Sequence, residues 1–242
     1  MKTSWCHAMG AAILLLVPGG CVVSPPPQTA GAREEKREKV VIERSRAAGA
    51  ERISAEIHIG AGELHVAGGA KEFLEAEFIY NVPSLKPQVR FEETGFRRRL
   101  QITQGAGQPI GGIVNRWDIR LGGDLPLDLV IRCGAGENRL DLREAPVRSL
   151  ELDLGVGEAT VDLRRAWTHD VDAKIKGGIG RAVVLVPAEG VEARASGGIG
   201  EINVTGMRKE DGRWVSEGRA RSGARLRLEV TGGIGQIEIR AG

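Results

Sequence analysis

The chain has 242 residues, with 34 basic and 32 acidic side chains, a net charge of +2, 35 glycines and only 4% aromatic residues. A balance this near neutral argues against nucleic acid as the main partner, because phosphate binding needs a concentrated basic patch. The length allows one sizeable core or two modest ones, and few aromatics with many Val, Ile, Leu and Gly suit a narrow interior.

Lys2 precedes an apolar run over residues 11–17, followed by Pro18-Gly19-Gly20-Cys21. Seven apolar residues are too few to span a bilayer and match the core of a signal peptide. A cysteine directly after a small residue resembles the lipobox of bacterial lipoproteins, although Pro18 stands where that family usually has Leu. The resemblance implies that residues 1–20 are a signal peptide and that Cys21 is lipidated as the mature N-terminus. It also implies an extracytoplasmic, membrane-anchored protein, with Val22 favouring the outer membrane in a Gram-negative source. Residues 21–39 hold Pro25-Pro26-Pro27 and a mixed-charge stretch over 33–39, and read as an extended, solvated tether. Cys6 lies in the signal. Cys133, in phase with Leu129 and Ile131, reads as a core thiol, so no internal disulfide is expected.

Residues 40–130 are strand-rich. The stretch 70–79 has helix-like spacing, but it leads into Asn81-Val82-Pro83 among strands and is read as strand. From 131 to 242 one phrase dominates, with an outlying copy upstream: Gly60–Gly62, Gly134–Gly136, Gly155–Gly157, Gly178–Gly180, Gly198–Gly200 and Gly233–Gly235. Counted on the second glycine (62, 136, 157, 180, 200, 235), the close steps are 21, 23 and 20 residues. The last step of 35 suggests a repeat plus an insertion over 207–222, and the first step of 74 leaves room for about three degenerate repeats.

Within each repeat the alternation has period two, as in a strand with one buried face. Leu150, Leu152 and Leu154 share a side before the phrase, and Ala159, Val161 and Leu163 share it after. Stacking the copies in chain order gives ladders Leu152, Ile175, Ala195, Val230 and Val161, Val184, Val204, Ile239, with like positions about 4.8 Å apart. These features predict an all-β parallel β-helix of about 20 residues per coil. The glycines are expected to be bends once per coil, with the residue between them capping the core.

A calcium-binding β-roll needs Asp two residues after the last glycine, where this chain has Ala182, Ile202 and Ile237. Glu63, Glu137, Glu158 and Glu201 follow the phrase and form either an acidic ladder for a cation or a solvated edge among Arg and Lys; the edge is preferred. Asp141, Asp153 and Asp162 read as outward acids on alternating positions, without the paired placement a glycan-cleaving enzyme needs. His58 and His65 flank the first phrase without a third metal ligand, and His169 stands alone. The 207–222 insertion reads as a hairpin with an Asp211-Gly212 turn. There Trp214 is either a partner contact or packing over the coil end, and Trp117 and Trp167 read as packing residues.

Tyr80-Asn81-Val82-Pro83-Ser84-Leu85-Lys86-Pro87, Asn115-Arg116-Trp117-Asp118 and Gly134-Ala135-Gly136-Glu137 carry a wider resemblance. From Glu38 onward the chain resembles the bacterial toastrack family, which includes the C-terminal domain of LiaF-type envelope-stress proteins and a set of candidate adhesins. The resemblance implies a right-handed, single-stranded β-helix that is extracytoplasmic and not enzymatic. The expected function is a non-catalytic, lipid-anchored envelope scaffold, linked to adhesion or envelope stress, that meets the membrane through its anchor and an envelope protein as partner. No cofactor, metal or small-molecule ligand is expected. The alternative is a glycan-active β-helix lyase or hydrolase.

Overall fold

The structure, a computed structural model, describes residues 34–107, 112–218 and 220–242. Cys6, Cys21, the proposed signal and most of the proposed tether lie outside the described residues. The strands are β1 (Lys36–Ile42), β2 (Arg52–Ala70), β3 (Leu74–Tyr80), β4 (Gln88–Thr94), β5 (Arg97–Thr103), β6 (Asn115–Gly122), β7 (Leu127–Asp141), β8 (Val147–Asp162), β9 (Val171–Val186), β10 (Val191–Thr205), β11 (Arg208–Glu210), β12 (Arg213–Val215) and β13 (Leu226–Ala241). The only α-helix among the described residues is one turn, Arg44–Ala47. Residues 70–79 pass from the end of β2 into β3, as the strand reading expects.

Six long strands form the body of the solenoid, stacked in parallel as β2-β7-β8-β9-β13-β10. Each is a rung of two limbs joined at the Gly-x-Gly corner. Leu150 and Leu152 on one limb of β8, and Ala159 and Val161 on the other, all point into one continuous core. Column neighbours match throughout: Leu152 pairs with Ile175, Ile175 with Val230, and Val230 with Ala195. Each buried Leu, Ile or Val contributes about 1.5–3 kcal/mol, so these columns dominate the stability.

The ladder members are those expected, but their order is not. The last rung, β13, inserts between β9 and β10 instead of following β10. Charge and volume both favour β13 there. Arg227 Nε donates to Asp172 of β9 at 2.6 Å and Glu238 accepts from Arg181 at 2.9 Å, where β10 has Glu192 and Asn203. β13 also brings Val230 and Ile239 where β10 has Ala195 and Val204, so the bulkier rung is covered on both sides.

The 74-residue gap holds no further repeats, because Gly62 pairs directly with Gly136. The intervening residues build a composite rung on the other side of β2. There β5 covers the first limb (Ile57 beside Ile102) and β6 the second (Leu64 beside Trp117). The chain leaves the stack between Gln104 and Asn115, and these two side chains take over the missing corner. Gln104 Oε1 accepts from the Gly60 and Ala61 amides at 2.9 and 3.3 Å, and Asn115 Nδ2 donates to Ala61 O at 2.5 Å. Asn115 Oδ1 in turn accepts from the buried Trp117 Nε1 at 2.9 Å, which accounts for the Asn-x-Trp spacing.

Two boundaries shift. β1 begins at Lys36, so residues 36–39 belong to the fold and not to the 21–39 tether; they pair with β3, Lys36 opposite Tyr80. The division drawn between 130 and 131 falls inside β7, a single continuous rung. Antiparallel strands β1, β3 and β4 flank the composite rung, so the parallel order holds for the body alone.

Candidate functional site

The corner is set by glycine. At Gly157 φ is +134° and at Gly180 it is +140°, values that L side chains rarely adopt. A Cβ on either would also fall within 3.0 Å of the glycine in the rung below, against the Gly136 and Gly157 carbonyls. Stacked glycines therefore let backbone lie on backbone at this edge.

The residue between the glycines does not cap the core. Val156, Ile179, Ile234 and Ile199 are 54%, 53%, 50% and 72% exposed. Inward positions are even-numbered before the corner of β8 (150, 152) and odd-numbered after it (159, 161), so the alternation must reverse between them. The reversal is absorbed over residues 155–158, and it turns the middle residue outward. These four side chains stand in register, Val156 beside Ile179, Ile179 beside Ile234, Ile234 beside Ile199. At the usual strand spacing they form an aliphatic ridge about 14 Å long. In β2 and β7 the same column holds Ala61 and Ala135, so the ridge rises only toward the β10 end.

Behind the ridge the interior changes with it. Ile59, Cys133 and Leu154 fill the corner in β2, β7 and β8, but their column continues as Gly177, Gly232 and Gly197. Ile237 and Ile202 compensate from the other limb in β13 and β10, whereas β9 has only Ala182 there. A slot of about 60 Å³ results, lined by Gly177, Gly197, Gly232, Ala182 and Ile202 among others.

The remaining candidates have local partners. Glu63, Glu137 and Glu158 stand side by side in register, between Arg116 and Arg181. Glu63 accepts from Arg116 Nε at 2.8 Å and Glu137 from Arg139 at 2.5 Å. His58 Nε2 lies 2.8 Å from Arg132, whereas His65 Nδ1 lies 3.3 Å from Asp118; the two histidines have separate neighbours. His169 Nε2 meets Val147 O at 3.0 Å. Among the described residues no group of three His, Cys, Asp or Glu is placed to hold a metal.

Asp162 is not a solvated outward acid. Its side chain is 12% exposed and is clamped by Arg164 Nη2 at 2.7 Å, with Arg143 Nε at 3.5 Å. Asp141, beside it in register, is held by Arg143 Nη2 at 2.6 Å. Burial pushes the Asp162 carboxyl up, but the Arg164 side-chain and backbone hydrogen bonds and the nearby Arg143 charge outweigh it, and its pKa lies below the ordinary value. The Arg143 side-chain hydrogen bond lowers Asp141 likewise. The signal for this clamp is the repeated Asp-Leu-Arg at 141–143 and 162–164. Asp153 lies on another face, 3.5 Å from Arg132.

Cys133 is buried, and burial pushes its thiol up to about 12. In the insertion, β11 and β12 form the hairpin, with Asp211 and Gly212 at φ +45° and +78° as a two-residue turn of this kind requires. Trp214 is half-buried against the end of the core, beside Ala193, with Lys209 Nζ 4.9 Å above its ring. Trp117 and Trp167 are buried.

The model of the family described as the N-terminal domain of toast_rack, DUF2154, matches residues 30–185, about two thirds of the chain. The chain belongs to the toast_rack family. The matched stretch ends inside β9, so it takes in Val156 and Ile179 but not Ile199 and Ile234. A toast_rack-like neighbour among solved structures, described as a candidate cell adhesion protein from Clostridium sporogenes, has a TM-score of 0.80 and 26% identity, covering 86% of this chain and 100% of that one. Candidate adhesins from Bacteroides fragilis and Parabacteroides merdae align at 10% identity over 86% and 85% of this chain and 98% and 96% of theirs, with TM-scores of 0.24. No curated protein matches the toast_rack chain.

Proposed function

We propose that this toast_rack protein is a non-catalytic envelope scaffold that acts by contact, in an adhesion-like role, and is held to a membrane through lipidated Cys21. The observation that carries this reading is the ridge of four exposed aliphatic side chains in register, Val156, Ile179, Ile234 and Ile199. Contiguous exposed apolar surface on a soluble fold marks an interaction site. The Clostridium sporogenes neighbour, described as a candidate adhesion protein, supports this reading.

Cells carrying the full-length chain should attach to their target surface or to each other. Replacing Ile179 and Ile234 together by Asp should cut attachment at least tenfold at an unchanged membrane level. Unchanged attachment would refute the ridge as the contact. Changing Cys21 to Ser should move the protein to the soluble fraction, and continued membrane association would refute the anchor.

A further inference from the structure

The two ends of the glycine stack are finished differently. At the β2 end, Gln104 and Asn115 satisfy the corner backbone with side-chain hydrogen bonds. At the β10 end no such cap is present among the described residues. The hairpin covers only Glu192 and Ala193, and no described strand pairs with the outer edge of residues 194–205. That edge is lightly protected against strand addition, having no Pro, no Lys and no bulge, and only Arg194 and Glu201 as charges. The interior is also uncovered there, with Ile202 38% exposed beside Gly197.

We infer that the β10 edge is an end-to-end self-association surface, and that its occupant is the same edge of a second copy, related by a twofold axis through the corner. The argument is self-complementarity. A twofold interface requires each residue to meet a different, fitting residue of the identical strand. Antiparallel pairing centred between Ile199 and Gly200 uses the whole free stretch and nothing more, because Arg194 then faces Thr205. In that register inward positions face inward positions, and each small residue faces a larger one. Gly197 lies opposite Ile202, Ala195 opposite Val204, Gly200 opposite Ile199 and Gly198 opposite Glu201. A shift of one residue would set inward side chains against outward ones, so the register is specified. The partner's Ile202 would continue the glycine column of the open slot, and no like charges would meet. The pairing would satisfy the backbone edge, as strand addition does, and would abolish the two exposed ends at once.

This inference goes beyond the adhesion reading and does not depend on it. Ser196 and Asn203 face outward and lie opposite one another in the proposed pair, at a separation a disulfide can bridge. Two full-length chains with different tags, one Ser196→Cys and one Asn203→Cys, are co-expressed and oxidised in the membrane fraction. A covalent heterodimer should form at least tenfold above wild type and above either variant alone. Adding Ile202→Asp to both should abolish it while each chain keeps the β-sheet circular dichroism of wild type. A heterodimer no more abundant than in the controls overturns the inference, as does one that survives Ile202→Asp, or a β10 edge cross-linked only to a different protein. Ile179→Asp with Ile234→Asp should leave the cross-link intact, which separates failure of this inference from failure of the ridge.

Discussion

Gly177 and Gly180 lie three residues apart in β9, and the structure assigns their replacement by Ala opposite signs. A Cβ on Gly177 would have as its nearest neighbours Thr231 O at 3.8 Å and Gly232 Cα at 3.9 Å, ordinary van der Waals contact at the slot. Replacing a glycine where the backbone tolerates Ala stabilises by about 0.4–1 kcal/mol through the unfolded chain, and a buried methyl adds up to about 0.8. Gly177→Ala should therefore gain about 1 kcal/mol, or about 2–4 °C in a chain of this size. At Gly180, φ is +140° and a Cβ would lie 2.8 Å from the Gly157 carbonyl carbon, with the oxygen closer still. Backbone strain of about 1–3 kcal/mol and the clash act together, so Gly180→Ala should lose at least about 2 kcal/mol. Urea unfolding followed by circular dichroism measures both, with the slope checked for constancy. A destabilising Gly177→Ala, or a neutral Gly180→Ala, would refute the account of the corner.

Asp141 and Asp162 have folded pKa values below their unfolded ones, so their stabilisation is complete above about pH 4 and is lost as pH falls through the folded values. Asp162→Asn should cost about 1.5–3 kcal/mol at pH 7 and flatten the acid limb of stability, which unfolding midpoints from pH 7 to pH 2 would reveal. Cys133, buried and with its thiol near pKa 12, should resist a thiol reagent at pH 8 until the chain is unfolded; rapid native labelling would contradict its placement. Asn115→Ala strips the acceptor from the buried Trp117 indole and a donor from Ala61, and should cost about 1–3 kcal/mol by the same urea assay.

The rungs were legible because period-two alternation and the glycine phrase lock register together; pairs such as Leu152 with Ile175 could be written down unaided. Their order was not, since β10 and β13 carry the same Gly-Gly-Ile-Gly, and the charges that separate them (Arg227 and Glu229 against Glu192 and Arg194) tell only once register sets them beside Asp172 and Lys174. The outward turn of Val156 was hidden by the alternation itself, which points inward when followed from Leu154 and outward when traced back from Ala159. The composite rung leaves no mark in the repeat pattern, because Gln104 and Asn115 replace backbone with side chains at its corner. The Asp-Leu-Arg clamp is visible in the sequence only once register sets Asp141 beside Asp162.

The insertion of β13 sets translation against packing. β10 is synthesised first, and while β13 is still absent it can lie on β9 with Ala195 over Ile175 and Val204 over Val184. That arrangement would be in register, yet wrong, because it sets Glu192 beside Asp172 and Arg194 beside Lys174. The native order then requires a late strand to displace an early one with the same backbone register, which is the condition for a kinetic trap in folding. Refolding should therefore show a slow phase that lengthens when Ala195 is enlarged to Val. On that account the small residues of β10, together with Glu192 and Arg194, would serve timing, keeping the early pairing weak enough to be undone.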